Sequence, residues 1–397
     1  MQLPQIPMQI DDFEFSIEGT DFGKSLKLCD EVIKFSDADK MMEDLNMIVC
    51  TGREVFLMGR TIDTFIIYQL DVSEVSGIGA ALVDFSVLGP VTKKGRVKIR
   101  FAGGELRAKS KTTNLTNSVR QVSLDQLKTL EVTIRNIELK NDADVFGSEL
   151  VDDIKRAVEM SFIPDLYTDG STNSHIEVRK GSLKVVTSSN FTCAQYDKDL
   201  TVSSPDIRIS LGADMLRLLY KVVGSSEAQF YVSGANFVAS AANFLVLLPP
   251  VRSHKGDFDR FETFEATLGE PAARATADHD LVLAVNTLAG LVNSNKALKG
   301  HSVKFALAVK PGTALLKFNT DGQSLTEKIG IATKDTFSFN ADIRLMQLLM
   351  KGVGQGIKAG ESPHQLSVYG PTGKYKAFML NYTMPDFRIK YFMQCTS

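Results

Sequence analysis

The side chains best placed for chemistry are lysines and arginines that recur on one side of several predicted helices. The apolar residues of these helices fall on the opposite side, so the charges point away from the core. Cations in this arrangement can hold phosphates without reading bases. An ordinary solvated helix face is the alternative interpretation. The residues are Lys24, Lys27 and Lys34; Arg217 and Lys221; Arg344 and Lys351; and, in or beside other helices, Lys93, Lys94, Lys155, Arg156 and Lys296.

Residues for catalysis or metal binding are poorly represented. None of the histidines stands at metal-ligand spacing from a cysteine or carboxylate, and the nearest case, Asp278-His279-Asp280, is typical of a polar turn. The chain has no Gly-x-Ser-x-Gly motif and no phosphate-binding loop. We therefore expect a protein that is not an enzyme and that carries no cofactor and no metal.

Composition sets the class of protein. Hydrophobic residues are 44% and charged residues 23% of 397, which excludes a disordered chain. The net charge of −2 argues against a protein that grips nucleic acid over most of its surface, but not against one basic face. The four cysteines are scattered, and no apolar run is long enough for a membrane span or signal peptide, so we expect a cytoplasmic protein with reduced thiols and no membrane partner.

The elements that carry the basic residues repeat along the chain. Phe13–Glu18 alternates as a strand, residues 21–34 form a helix with Phe22, Leu26, Cys29 and Ile33 on one side, and three short strands follow. The same unit recurs, which gives six copies in three domains of about 125 residues each. The further helices are predicted at Ala80–Val91, Glu149–Met160, Ala213–Val223, Leu281–Asn293 and Ala341–Val353.

The repeats predict an α+β fold with short connections. Val119–Leu124 is predicted as a strand, and Asn136–Phe146 and Gly269–Asp278 as linkers, the second because it is rich in Gly, Pro and Ala. The predicted organisation is a leader at 1–11, domains at 12–138, 139–270 and 271–387, and a C-terminal tail at 388–397.

This order of elements resembles the bacterial-type sliding clamp of DNA polymerase. The resemblance is carried by Phe13–Glu18, by the polar strand pair at Leu57–Thr64, by Phe339–Leu345 at the start of the last helix, and by the step Met384-Pro385. It implies a three-domain, ring-forming processivity factor. The chain departs from the family at Leu247–Val251 and in the residues beyond Met384-Pro385, and a divergent clamp encoded by a phage would fit these departures. Two chains would form a homodimeric ring around double-stranded DNA and would tether the polymerase.

The resemblance also implies a groove in which the DNA polymerase and the clamp loader dock short peptide motifs. Several of its positions could equally be core residues. A second hypothesis for the whole chain is a ring- or tube-forming structural protein of a virus particle, which would also explain the repeats and the missing catalytic residues. The implied groove residues are Leu248, Pro249, Val251, Ala341, Ile343, Tyr382, Met384 and Pro385.

Overall fold

The computed structural model describes most of the chain, and its residues separate into two units. Unit 1 comprises 1–151 with 218–250, and unit 2 comprises 152–217 with 251–397. The predicted division into three domains stays a prediction. The described residues are 3–8, 11–34, 45–61, 64–93, 95–137, 146–161, 172–188, 192–201, 206–212, 229–233, 236–248, 255–295, 298, 302–320, 323–358, 364–372, 375–383 and 387–396.

Short antiparallel strands dominate both units. The helices are α1 Gly19–Lys34, α2 Leu124–Arg135, α3 Ser148–Ser161, α4 Lys255–Phe258, α5 Arg260–Leu268, α6 His279–Ser294 and α7 Ile343–Lys358, with a 3-10 helix at Phe85–Val91. The strands are β1 Phe13–Glu18, β2 Leu45–Cys50, β3 Val55–Arg60, β4 Phe65–Leu70, β5 Ser73–Gly77, β6 Gly79–Leu82, β7 Arg96–Ala102, β8 Glu105–Lys109, β9 Asn114–Ser118, β10 Arg120–Gln121, β11 Asn173–Arg179, β12 Ser182–Ser188, β13 Thr192–Asp199, β14 Ile207–Gly212, β15 Gln229–Ser233, β16 Asn236–Ser240, β17 Phe244–Leu248, β18 Ala273–Ala277, β19 Lys304–Lys310, β20 Thr313–Thr320, β21 Gln323–Ile329, β22 Phe337–Asp342, β23 His364–Thr372, β24 Tyr375–Thr383 and β25 Arg388–Thr396.

Unit 1 contains two sheets. One has the order β5-β1-β7-β8-β9, and the other has the order β10-β6-β2-β3-β4-β17-β16-β15. In the second sheet β4 pairs with β17, from Phe65 opposite Leu247 to Tyr68 opposite Phe244. This pairing joins strands that are far apart in the chain into one continuous sheet.

The eight-stranded sheet of unit 1 is buried on both faces. Ile33 of α1 lies against Gly59 on one face, where a Cβ at Gly59 would be only 2.1 Å from the Ile33 Cδ1 atom. Leu127, Leu130 and Ile134 of α2 belong to the core cluster on the other face. Neighbouring residues on a strand alternate between faces, which explains why β3 and β4 are apolar at nearly every position.

Unit 2 is built on a large sheet with the order β14-β11-β12-β13-β25-β22-β19-β20-β21, from which β24, β23 and β18 branch at β25. Strand β25 pairs with β13, from Thr192 opposite Met393 to Asp197 opposite Arg388. It also pairs with β24 along its whole length. The last strand of the chain therefore lies inside the sheet and holds its two halves together.

The short helices α4 and α5 cover one face of the β11-β12-β13 region. Phe261 of α5 packs in a buried cluster with Val186, Cys193 and Tyr369. Around this apolar contact the Lys184 ammonium is 3.3 Å from the Asp259 carboxylate and 2.9 Å from the Glu262 carboxylate. An apolar centre with charged pairs at its rim fixes the helix position.

Beneath α4 lies His175, a buried histidine. Its Nδ1 atom is 2.7 Å from the Ser210 hydroxyl, and its ring meets the Phe258 ring edge-on with centroids 5.4 Å apart. Burial lowers the pKa of His175, an effect that Asp257 opposes and Arg260 reinforces. The folded protein therefore favours the neutral imidazole.

The start of α1 is held tightly against the loop before β7. The Gly19 N–H donates to the Gly95 carbonyl at 2.8 Å. A Cβ at Gly19 would lie 2.0 Å from the Lys93 carbonyl oxygen, and one at Gly23 would lie 2.9 Å from the Thr92 Cβ. Only glycine permits this approach of two backbones at position 19.

The structure confirms many of the predicted elements. The first strand and helix, the apolar side of that helix and the hairpin turn at Gly52 are as expected, with Gly52 at φ 91°. The predicted helices Glu149–Met160 and Leu281–Asn293 correspond to α3 and α6. The predicted helix at 213–223 lies outside the described residues.

Four predictions about individual segments are wrong. Ala80–Val91 is not one helix but β6 and a 3-10 helix that contains Pro90, which has no N–H to extend an α-helix. Of the predicted strand Val119–Leu124, only Arg120–Gln121 is a strand, β10. The segment ends there because the Ser123 hydroxyl accepts from the Gln126 N–H and caps α2. The linker Gly269–Asp278 contains β18, and the last helix runs past Gly354 to Lys358 and starts at Ile343.

The segment 388–397, predicted as a tail, is also different in the structure. Its residues from Arg388 to Thr396 form β25. Ile389, Tyr391 and Met393 are buried in alternation. This period of two is present in the sequence, but the prediction ended the fold near the Met384-Pro385 step.

Replacing Gly19 with alanine should destabilise the protein. The added Cβ would force the Lys93 backbone away from α1, and overpacking of this kind costs about 2 kcal/mol. Urea unfolding followed by circular dichroism would measure it. The matched control is Gly290→Ala in α6, where nothing lies within 4 Å of the added carbon and stability should rise by up to about 1 kcal/mol. Equal effects of the two changes would contradict the close approach at Gly19.

Stability should fall on mild acidification because of His175. Its folded pKa lies below the unfolded value of about 6.5, so this stability is present above that value and is lost as the pH falls below it. We expect the thermal midpoint to drop between about pH 7 and about pH 5.5, and to drop less in His175→Gln. Parallel pH profiles for the two proteins would exclude His175 as the cause.

Candidate nucleic-acid interface

Helix α1 presents two of the predicted lysines to solvent. Its apolar side packs on β3 and β4, which leaves the side chains of Lys24 and Lys27 79% and 76% exposed. The Lys24 ammonium is 3.2 Å from the Asp21 carboxylate, and that of Lys27 is 3.6 Å from the Glu31 carboxylate. Ion pairs this exposed contribute little, so both ammonium groups are available to a phosphate.

Lys93 lies beside these lysines. It is exposed in the loop that packs on the first turns of α1, through the contacts of Gly19 and Gly23 described above. The structure therefore brings together Lys24, Lys27 and Lys93, which the sequence places in two separate repeats. Three cations on one surface make this the best-supported basic site among the predicted ones.

Helix α3 is less suited to contact a polyanion. Arg156 is exposed, with its guanidinium carbon 4.4 Å from the centre of the Phe387 ring, and Lys155 is half-buried. Exposed carboxylates accompany them on the same helix, at Glu149, Asp152 and Glu159. The exposed residues of α3 are thus more acidic than basic.

Arg344 has a structural partner. Its guanidinium donates to the Leu298 carbonyl at 2.7 Å and to the Asn293 side-chain oxygen at 3.3 Å. Arg344 therefore fastens the segment after α6 to α7. The remaining predicted cations fall outside the description, either wholly or by their side chains: Lys34, Lys94, Arg217, Lys221, Lys296 and Lys351.

Helix α6 has no lysine and no arginine, as the sequence indicates. Its exposed side carries two leucines instead, Leu283 at 54% and Leu291 at 39% exposure. The helix packs against α7 and against β21, which is the last strand of its sheet. Exposed leucines next to a strand whose outer edge has no partner among the described residues are typical of a protein interface.

The predicted peptide groove is only partly described. Leu248, at the end of β17, is buried in unit 1, and Ala341 and Ile343 are buried in unit 2. These three residues are core in this structure, which agrees with the alternative interpretation of the sequence. Tyr382 is the penultimate residue of β24 and its side chain lies outside the described residues. Pro249, Val251, Met384 and Pro385 also lie outside them.

The sequence analysis predicted basic residues only on or beside helices, and it missed those on strands. Lys304, Lys310, Lys317 and Lys328 are exposed on β19, β20 and β21. The signal that could have found them is the alternation of lysine and apolar residues along Lys304–Lys310, which places one side of the strand in solvent.

Two further kinds of site are absent from the described residues. No group of three or more His, Cys, Asp or Glu side chains in this part of the chain is arranged to hold a metal ion. Within the same residues, no helix has the length and hydropathy of a membrane span.

Comparison with known proteins identifies the architecture. No family model and no curated protein matches the chain. Among solved structures, a DNA polymerase III beta subunit described as putative, from Eubacterium rectale, aligns with a TM-score of 0.73 at 11% identity, over 97% of this chain and 100% of that one. The DNA polymerase III beta chain of Streptococcus pneumoniae gives 0.73 at 14%, over 97% and 100%.

A sliding clamp of Pseudomonas aeruginosa, solved with griselimycin bound, aligns with a TM-score of 0.70 at 13% identity, over 97% of this chain and 99% of that one. At such identities a structural match establishes the fold. Nearly complete coverage in both directions means that this fold accounts for the whole chain and not for one domain of it. The chain therefore has the α+β fold of the DNA polymerase III beta subunit, the sliding clamp.

Proposed function

We propose that this protein is a non-enzymatic DNA sliding clamp that encircles double-stranded DNA and confers processivity on a DNA polymerase. One observation carries the proposal: the match covers 97% of the chain and 99–100% of known clamps. It favours a clamp over a structural protein of a virus particle. We place its action on replicating DNA in the cytoplasm, in the nucleoid or in the host of a phage.

The ring itself would be closed by sheet edges. Strand β9 ends the five-stranded sheet of unit 1, and β21 ends the sheet of unit 2. A terminal strand exposes unpaired N–H and C=O groups, which a second chain can pair. We infer that β9 of one chain pairs with β21 of its partner, twice in a head-to-tail dimer, and that Leu283 and Leu291 add apolar contact beside β21.

A dimer of about 87 kDa is expected, twice the chain mass of 43.6 kDa, and light scattering would measure it. Leu291→Asp, combined with Leu283→Asp, should yield monomers because two carboxylates would be desolvated in the interface. The control is Val132→Asp, which introduces a carboxylate at an apolar residue that is 57% exposed on α2. A wild-type monomer, or a dimer that survives the double change, would contradict this mode of closure.

DNA would be held through its phosphates by the basic residues predicted from the sequence. The α1 surface, defined as Lys24, Lys27 and Lys93, has the strongest support because all three are exposed together. Contacts of this type are independent of base sequence and weaken as salt rises. Loose electrostatic contact allows sliding, while the closed ring prevents escape.

Lys24→Gln combined with Lys27→Gln should shorten the residence time of the protein on circular DNA at moderate salt, equally for all sequences. The fold should be unaffected, since exposed helix positions change stability by less than about 0.5 kcal/mol. Surface plasmon resonance on immobilised circles would measure it. The control is Lys128→Gln with Arg135→Gln on α2, whose cations pair with Asp125 and Glu131. An equal loss of residence time in both variants would contradict DNA binding by the α1 surface.

The polymerase and the clamp loader would dock through short peptide motifs. Five residues of the predicted groove lie outside the described side chains and stay candidates: Pro249, Val251, Tyr382, Met384 and Pro385. In sequence, Pro249 and Val251 come after β17, Tyr382 is the penultimate residue of β24, and Met384 and Pro385 come after β24. Binding residues are often found in the segments that connect strands.

A further inference from the structure

The sheet of unit 2 has a lysine-rich face that is exposed and that no helix of the described residues covers. On β19, the residues Phe305, Leu307 and Val309 are buried. The residues between them point to the other side, where Lys304 and Lys310 are exposed. Lys317 on β20 and Lys328 on β21 are exposed on this same side. We call these four residues the lysine face.

The neighbours of these lysines are small or uncharged. Lys317 lies between Ala306 and Thr326 in the strand register. Lys328 lies opposite Leu315, which lies opposite Ala308. The nearest strand beyond β19 contributes Ser338 and Asn340 to this side. The register therefore gives Lys317 and Lys328 no opposing carboxylate.

Two acids lie on strands close to these lysines but do not neutralise the lysine face. Asp342 is opposite Lys304, yet it is buried and accepts bonds from the Ser302 hydroxyl and from the Val303 and Arg344 N–H groups. Glu327 is opposite Leu316, on the other side of the sheet. Within the described residues, none of the four lysines forms an ion pair.

The lysines are also spaced along a line. Lys304, Lys317 and Lys328 occupy successive strands, each displaced by two residues, so their Cα atoms should be about 8 Å apart on a diagonal. No two of them are directly opposite, which limits their mutual repulsion. Long flexible side chains at this spacing can follow a chain of regularly repeated anions.

We propose that the lysine face binds the phosphodiester backbone of nucleic acid, independently of sequence. Protein interfaces are depleted in lysine and rich in aromatic residues, and this face has four lysines and no exposed aromatic side chain among the residues described. Lysine is a point charge without the planar fork that reads bases or carboxylates. Lysines on edge strands also prevent aggregation through strand pairing. This alternative would explain Lys328 alone, because β19 and β20 are interior strands.

This site is distinct from the DNA contacts of the proposed clamp. The opposite side of the same strands is buried, since Phe305 and Leu307 face the core there. Helix α6 packs on β21 and against α7. A ring whose helices surround duplex DNA would therefore carry the lysine face on its outside. Binding there requires no ring closure, so it holds for a dimer and for a monomer.

The test uses the full-length protein with Lys304, Lys317 and Lys328 changed to Gln. Fluorescence anisotropy with a short, linear, labelled oligothymidine measures affinity across a salt series. We expect affinity at low salt to fall at least about fivefold, and the slope of log K against log salt to decrease by about 2, since each lost phosphate contact removes about 0.7.

The matched control changes Lys128, Arg135 and Arg274 to Gln. Each is exposed and already paired with an acid, and the net charge changes equally. Equal losses in both variants would overturn the proposal, because the effect would then be one of overall charge. A wild type that binds polyglutamate as tightly as the oligothymidine, with both lost in the lysine variant, would also overturn it in favour of an acidic protein partner.

Discussion

Main-chain hydrogen bonding between strands that are distant in sequence is the constraint on which this structure depends. Strand β4 finds its partner in β17, and β13 finds its partner in β25. Without those partners each would be an open edge with unsatisfied N–H and C=O groups. Pairing turns repeated small units into continuous sheets, in which β9 and β21 are among the terminal strands. The proposed ring closure would satisfy these two strands in the same way, between chains.

The continuous sheets also determine which sides of the helices and strands carry exposed lysines. Helix α1 packs one side on β3 and β4, so its lysines must point outward, and the loop that carries Lys93 is drawn beside them by Gly19. In unit 2, α6 packs on β21, and the side of β19 that carries Phe305, Leu307 and Val309 is buried, which leaves the lysine face on the other side. Two basic surfaces with different geometry follow from one layered arrangement. In the proposed clamp, the α1 surface would contact the enclosed duplex, and the lysine face would contact a strand on the outside.

Local pattern was enough to predict much of the fold. The alternation of Phe13–Glu18 and the apolar side of α1 are set by residues close in sequence, and both were predicted correctly. Helix α2 was not predicted, although Ser123 and Gln126 form a capping box at its start. The prediction of a strand at Val119–Leu124 included Ser123 and so hid this signal. Strand β25 was not predicted, although Ile389, Tyr391 and Met393 alternate, because the resemblance ends at the Met384-Pro385 step. Its pairing with β13, about 190 residues earlier, is a tertiary contact that no local pattern indicates. The roles of Arg344 and Ile343 depend on tertiary neighbours, which no single-sequence pattern reveals.

The central claim is that the protein holds DNA by enclosing it. The direct measurement is retention on an immobilised nicked plasmid, washed at high salt and then cut once with a restriction nuclease. Enclosure predicts that the protein survives the salt wash, which screens phosphate contacts, and that it is released when the circle is cut. Loss of the protein during the wash, or retention after the cut, would contradict the account.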